Sequence, residues 1–193
     1  MKNVFFKALA LCLCLVMVGA IFAGCNKKEE AIVIGFSGPL TGGAAVYGTA
    51  VKNSAEMAVE EINAAGGLNG IPLKLEATDD KHDHTLVETN YNTLMDKGMQ
   101  VSLGTVTTAP GLEFTKLSVE DNVFFLTPSA SNDDVPAEAN AYQMCFADGN
   151  QGKVAAEFVN ANFKGQTIGA FYKADEDYSK GIFEEFKANL STS

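Results

Sequence analysis

Apolar residues in this chain fall in short continuous runs that alternate with stretches of helical periodicity, a pattern that predicts an α/β fold. Residues 31–36 form an unbroken apolar run rich in β-branched side chains, as expected of a parallel-sheet strand covered on both faces. A glycine-rich loop, 37–48, leads to Val51, Ala55, Ala58, Val59 and Ile62 at helical spacing, closed by Gly66 and Gly67. The unit repeats. Residues 73–78 read as a strand, Asp83 as the cap of a helix carrying Val87, Tyr91, Leu94 and Met95, and Gly98 as its end. Strands at 101–104 and 123–127 flank a weaker helix at 112–119. Such alternation implies βαβ crossovers and a doubly wound, mainly parallel sheet. Ligands of these sheets bind beyond the carboxyl ends of the strands.

The pattern continues with an apolar stretch at 142–147, a polar passage at 148–152, a helix at 154–163, a strand at 167–172 and a helix at 181–190. One strand between two helices cannot cover its own edges. Residues 31–148 are therefore expected to form an N-terminal α/β lobe, and 149–193 the incomplete start of a second one.

Ahead of the first strand, Lys2 and Lys7 supply a basic start, 4–22 a largely apolar segment, and Ala23 and Gly24 small residues before Cys25, after which the chain turns polar. This reads as a secretion signal, with a membrane-spanning helix as the alternative. The run Ile21-Phe22-Ala23-Gly24-Cys25 resembles the bacterial lipobox, although Phe22 stands where Leu is more usual. The resemblance implies a lipoprotein signal peptide at 1–24, lipidation of Cys25, and a lipidated tether at 25–30. Acyl chains contribute roughly 0.8 kcal/mol per buried methylene and hold a domain at a membrane without a spanning helix.

Composition narrows the partners. The 193 residues are 47% hydrophobic and 20% charged, which fits a folded globular chain. The leader carries Lys2 and Lys7 and no acid, so its removal takes the net charge from -10 to -12. So acidic a surface argues against nucleic acid and against anionic lipid headgroups as partners. With Cys12 and Cys14 in the leader and Cys25 acylated, Cys145 is the single free thiol, read as a small buried strand residue.

Three loops follow strand ends: 38–48, 104–110 and 127–132. They offer hydroxyls, peptide groups and the Tyr47 ring, and none contains Lys, Arg, His, Asp or Glu. Such a neutral lining suits a small zwitterion, with N–H groups at a helix N-terminus taking a carboxylate and carbonyls taking an ammonium. Any one of these loops by itself is more readily a conformational turn than a binding loop. Gly42-Gly43 lacks the spacing of a dinucleotide fingerprint and no phosphate-loop lysine follows, so no nucleotide cofactor is expected. The cluster Asp79-Asp80-Lys81-His82-Asp83-His84 reads as a solvated helix start, with no metal site expected. Ser129 lacks a nucleophile elbow.

Taken together, residues 34–42, Tyr47-Gly48, 58–70, Asp79-Asp80 and 127–131 resemble the leucine/isoleucine/valine-binding proteins of ABC importers. The likeness runs from about Ala31 to the end of the chain. It implies a type I periplasmic-binding-protein-like fold of two α/β lobes closing on an amino acid. Carried over residue by residue, Thr108 stands where a Ser binds the ligand carboxylate, Ser129 where a carbonyl takes the ammonium, and Ser131 where a hydroxyl and an N–H meet the charged groups. Ala130 would line the site between them. Tyr47 and Tyr178 match ligand-facing rings, and each is otherwise a surface or lobe-packing ring. His82 and Thr107 stand where some members have a disulfide, and an acid that pairs with the ammonium would lie beyond Ser193.

The resemblance implies a non-enzymatic, lipid-anchored receptor on the extracytoplasmic face of the bacterial membrane, in the periplasm or at the cell surface. Its expected partners are a small amino acid or related amide, of branched-chain type by the family's default, and the permease subunits of an ABC importer. The rival readings are the sensory lobe of a receptor and, less favoured, a hydrolase of small amides.

Overall fold

A computed structural model describes residues 31–191. The leader, Cys25 and the tether lie outside the described residues. Five strands form one parallel sheet: β1 (Ile32–Gly38), β2 (Leu73–Asp79), β3 (Val101–Ser102), β4 (Phe124–Thr127) and β5 (Ala141–Gln143), in the order β2-β1-β3-β4-β5. All four pairings are parallel, with Ile34 beside both Leu75 and Val101. The helices are α1 (Ala45–Ala64), α2 (Val87–Asp96), α3 (Thr108–Glu120), α4 (Asp148–Asn162) and α5 (Asp177–Asn189), with a 3-10 turn at His84–Leu86. Among the described residues no helix is long and apolar enough to cross a membrane.

The periodicity locates the core well in α2, where Val87, Tyr91 and Leu94 are all buried. They meet Phe114 of α3 and Phe125 of β4, whose ring centroids lie 4.8 Å apart, and Tyr91 meets Phe114 edge-on at 5.2 Å. In α1 the apolar face is only half used: Ala55 is buried, whereas Ala58 and Ile62 are exposed. Gly66 and Gly67 end that helix with φ of 105° and 77°. Asn63, near its end, donates to the Leu73 carbonyl (2.8 Å) and accepts from the Leu73 N–H (2.7 Å), fixing where β2 begins.

Several elements differ from the pattern read in the sequence. Helix α3 starts at Thr108 because Pro110 sits in the first turn, where its missing N–H costs no helical bond. The polar passage 148–152 is the first turn of α4. Its Gly152 is there for close approach, since a Cβ would sit 2.4 Å from the Ile182 carbonyl oxygen of α5. Helix α5 starts at Asp177 because Glu176 caps it, accepting from the N–H groups of Tyr178 and Ser179. Residues 167–172 are not a strand: among the described residues no neighbour pairs with them, and Phe171 is fully exposed. An apolar run becomes a strand only where a ladder partner exists. Strand β5 stops at Gln143, so Cys145 lies beyond it, half-buried rather than buried, with its thiol 3.6 Å from the Ala130 carbonyl.

In the acidic cluster, Lys81 to His84 are exposed and Asp83 caps the 3-10 turn by accepting from the Thr85 N–H (2.9 Å), as the sequence suggests, but Asp79 and Asp80 are built into the structure. The Asp79 carboxylate accepts from the N–H groups of Leu40 (2.8 Å), Thr41 (3.3 Å) and Lys81 (3.0 Å) and from the Thr41 hydroxyl. It thereby ties the loop after β1 to the loop after β2. Asp80 is fully buried and accepts from the His82 N–H (2.9 Å) and the Ser37 hydroxyl (3.3 Å). Lys81 and His82 follow with positive φ of 55° and 63°. Burial pushes the Asp80 pKa up against these two bonds. At Asp79 burial acts in the same sense, but the bonds accepted from Thr41, Leu40 and Lys81 outweigh it and hold the carboxyl below its ordinary value.

Two outcomes follow for stability. Phe125→Ala, which empties the centre of the aromatic cluster, is expected to cost about 3–5 kcal/mol in denaturant unfolding. Asp79→Ala is expected to cost roughly 1–2 kcal/mol at neutral pH. A lowered folded-state pKa stabilises above the unfolded value and is lost as pH falls, so the gap between wild type and Asp79→Ala should close below about pH 4 in unfolding measured across pH.

Candidate functional site

The carboxyl ends of β1, β3 and β4 open onto one cleft of about 390 Å³. Its lining includes Tyr47 and Ala44 at the start of α1, Thr107 and Thr108 at the start of α3, and Ser129 and Ser131 after β4. The two loops at the β1 side are held by Asp79, and α1 is drawn in close by Gly48, where a Cβ would lie 2.0 Å from the Pro39 carbonyl oxygen. The turn after β4 is shaped by the buried Thr127 hydroxyl. It donates to the Thr105 carbonyl (2.7 Å) and accepts from the N–H groups of Ala130 (2.9 Å) and Ser129 (3.4 Å).

The start of α3 is bare. Its N-cap, Thr107, makes no side-chain cap bond, and among the described residues no carbonyl takes the N–H of Thr108 or Ala109. The first helical bond is Gly111 N–H to the Thr107 carbonyl (3.0 Å). Two free donors at the positive end of a 13-residue helix, beside the Thr108 hydroxyl, form a seat for an anion.

Of the residues singled out in the sequence, Tyr47, Thr108, Ser129, Ser131 and Tyr178 all line this cleft. Ala130 does not. It is 1% exposed and belongs to the core, its methyl 3.0 Å from where a Cβ on Gly111 would stand. Its N–H goes to Thr127 and its carbonyl accepts from the Gln143 amide (3.2 Å). The lining is also not neutral. His82 reaches it from the loop after β2 and Glu176 from the start of α5. Val106 and Phe146 complete the walls. Phe146 follows β5, which ends at Gln143, but the sequence pattern keeps 142–147 as one apolar stretch; Glu176 follows no paired strand, so a reading confined to strand-end loops passes over both.

Asp148, the first residue of α4, lies just behind the cleft and is 1% exposed. Its N–H donates to the Ser131 carbonyl (2.8 Å), yet neither carboxylate oxygen has a hydrogen-bond partner among the described residues. Burial raises its pKa, the nearby Ser131 hydroxyl opposes that, and Asp133 and Glu176 add to it. The sequence pattern offered only a polar passage here, and nothing in it marks the first of those residues as buried.

Known proteins resemble this chain in sequence and in fold. The Leu/Ile/Val-binding protein BraC3 of Rhizobium johnstonii is 35% identical over 162 residues, covering 83% of this chain and 44% of the relative. A leucine-, isoleucine-, valine-, threonine- and alanine-binding protein of Pseudomonas aeruginosa is 31% identical over 178 residues, covering 90% of this chain and 47% of the relative. Among solved structures, the branched-chain amino acid transporter substrate-binding protein LivJ of Streptococcus pneumoniae, in complex with isoleucine, superposes with a TM-score of 0.76 at 26% identity. That match covers 84% of this chain and 47% of LivJ. The chain thus spans about half the length of the relatives it matches. The sheet and its crossovers are those of type I periplasmic binding proteins. A family profile described as periplasmic binding protein matches residues 31–193, and the chain belongs to that family.

Proposed function

We propose that the full-length gene product is the extracytoplasmic solute-binding component of an ABC importer, taking a small amino acid of branched-chain type and delivering it to the permease. The observation that carries this reading is the bare start of α3 opening into a cleft whose opposite rim is Ser129 and Ser131. Thr108 and the free N–H groups of Thr108 and Ala109 suit the ligand carboxylate. The Ser129 carbonyl and the Ser131 hydroxyl suit its ammonium, and Tyr47, Phe146 and Tyr178 enclose its side chain. Each charge-assisted bond is worth roughly 1.5–3 kcal/mol, and micromolar affinity needs only about 8 kcal/mol in total. The names of the matched relatives support an amino acid ligand and a role in binding without catalysis. In this reading residues 1–24 are a lipoprotein signal peptide, Cys25 carries the lipid, 31–148 form the first lobe, and 149–193 begin the second.

Calorimetry on the full-length protein should give saturable heat with leucine, isoleucine or valine, and Thr108→Val should weaken that binding about ten- to a hundredfold. No heat with any of the three at millimolar concentration would sink the amino acid assignment. For the anchor, Cys25→Ser should move the protein from the membrane fraction to the soluble one. Retention of the variant in membranes would argue for a spanning leader instead.

A further inference from the structure

Asp148 is the anomaly of the described residues, a carboxylate sealed from water with both oxygens unbonded, and native structures rarely keep such a group without a use for it. Its surroundings connect the floor of the cleft to the α4–α5 pair. Ser131, which lines the cleft, accepts its N–H. Gly181 of α5 packs over it, so closely that a Cβ there would lie 3.4 Å from Oδ2 and 3.3 Å from the Asn132 amide nitrogen. The charged groups that face it are Asp133, from the loop before β5, and Glu176, which caps α5 and lines the cleft. Both are acids, and no salt bridge reaches Asp148 among the described residues. Asp133 is itself occupied, accepting from the Gly149 N–H (2.8 Å).

We propose that Asp148 is a positioning residue for ligand binding: its carboxylate orients the Ser131 hydroxyl and supplies negative charge beneath the ammonium end of the cleft. This rests on the amino acid reading above. An ionised Asp148 draws the Ser131 proton toward itself, which turns the hydroxyl lone pairs to the cleft as acceptors for an ammonium. In the empty cleft, burial and the two neighbouring acids shift Asp148 toward its protonated form. An ammonium arriving above Ser131 favours the ionised form, and the proton leaves to the buffer. Binding and proton release are then linked, and affinity falls as pH drops below the raised pKa.

The test is calorimetry of leucine binding to the full-length protein in two buffers of different ionisation enthalpy, at about pH 5 and about pH 8. Wild type should release protons on binding at the lower pH and almost none at the higher. Asp148→Asn, which keeps the shape and removes the charge, should abolish the release and bind about tenfold more weakly at the higher pH. Release that persists in Asp148→Asn, or unchanged affinity, overturns the proposal while leaving the amino acid reading intact. Should the variant not fold, wild-type affinity that stays flat between the two pH values overturns it as well. Absence of leucine, isoleucine and valine binding at both pH values removes the amino acid reading and this proposal with it.

Discussion

The four hydrogen bonds gathered by Asp79 are the constraint on which the cleft depends. Strands β1 and β2 are neighbours in the sheet, but their loops leave the sheet edge separately, and each is conformationally loose: one is rich in glycine and the other runs through two left-handed residues. A single carboxylate accepting from both turns two loops into one rim. Asp80 completes the arrangement from below, its buried side chain pinning the His82 amide and the Ser37 hydroxyl. The rim carries Tyr47 and His82 to the same cleft, so side chains 35 positions apart share a wall because two adjacent aspartates hold their loops.

The other half of the cleft is organised from the core. Phe114 sits in the same helix whose first turn carries Thr108, and Phe125 sits two residues ahead of Thr127. The contact between those rings fixes α3 against β4, and with it the distance between the bare helix start and the Ser129–Ser131 turn. Packing in the interior and geometry at the rim are therefore one problem. A change in the aromatic cluster moves the hydrogen-bonding groups several residues away, even though none of the rings touches the cleft.

The order of elements was legible because buried parallel strands read as continuous apolar runs and α2 has a clean amphipathic period. Of the six residues singled out as ligand-facing, Tyr47, Thr108, Ser129 and Ser131 line one cleft because they follow strand ends that a parallel sheet collects at one edge, and Tyr178 joins them from the start of α5. Three things were not legible. Ala130 falls inward because the Thr127 hydroxyl coils the turn, a tertiary effect with no local sequence signal. The run 167–172 has strand composition, but pairing is a property of neighbours. The role of Asp79 and Asp80 was hidden because acidic residues before a helix usually face water, and only the fold reveals which amides they meet.

Pro110 has a consequence for the kind of anion the cleft can hold. A helix start ordinarily offers several amide donors, yet here the imino ring supplies none at its position and the Gly111 amide is already taken by Thr107. The backbone is left with two donors, Thr108 and Ala109, beside the Thr108 hydroxyl. Two amides side by side have the spacing of the two oxygens on one planar carboxylate, so the proline trims the helix start to a narrow pair of donors.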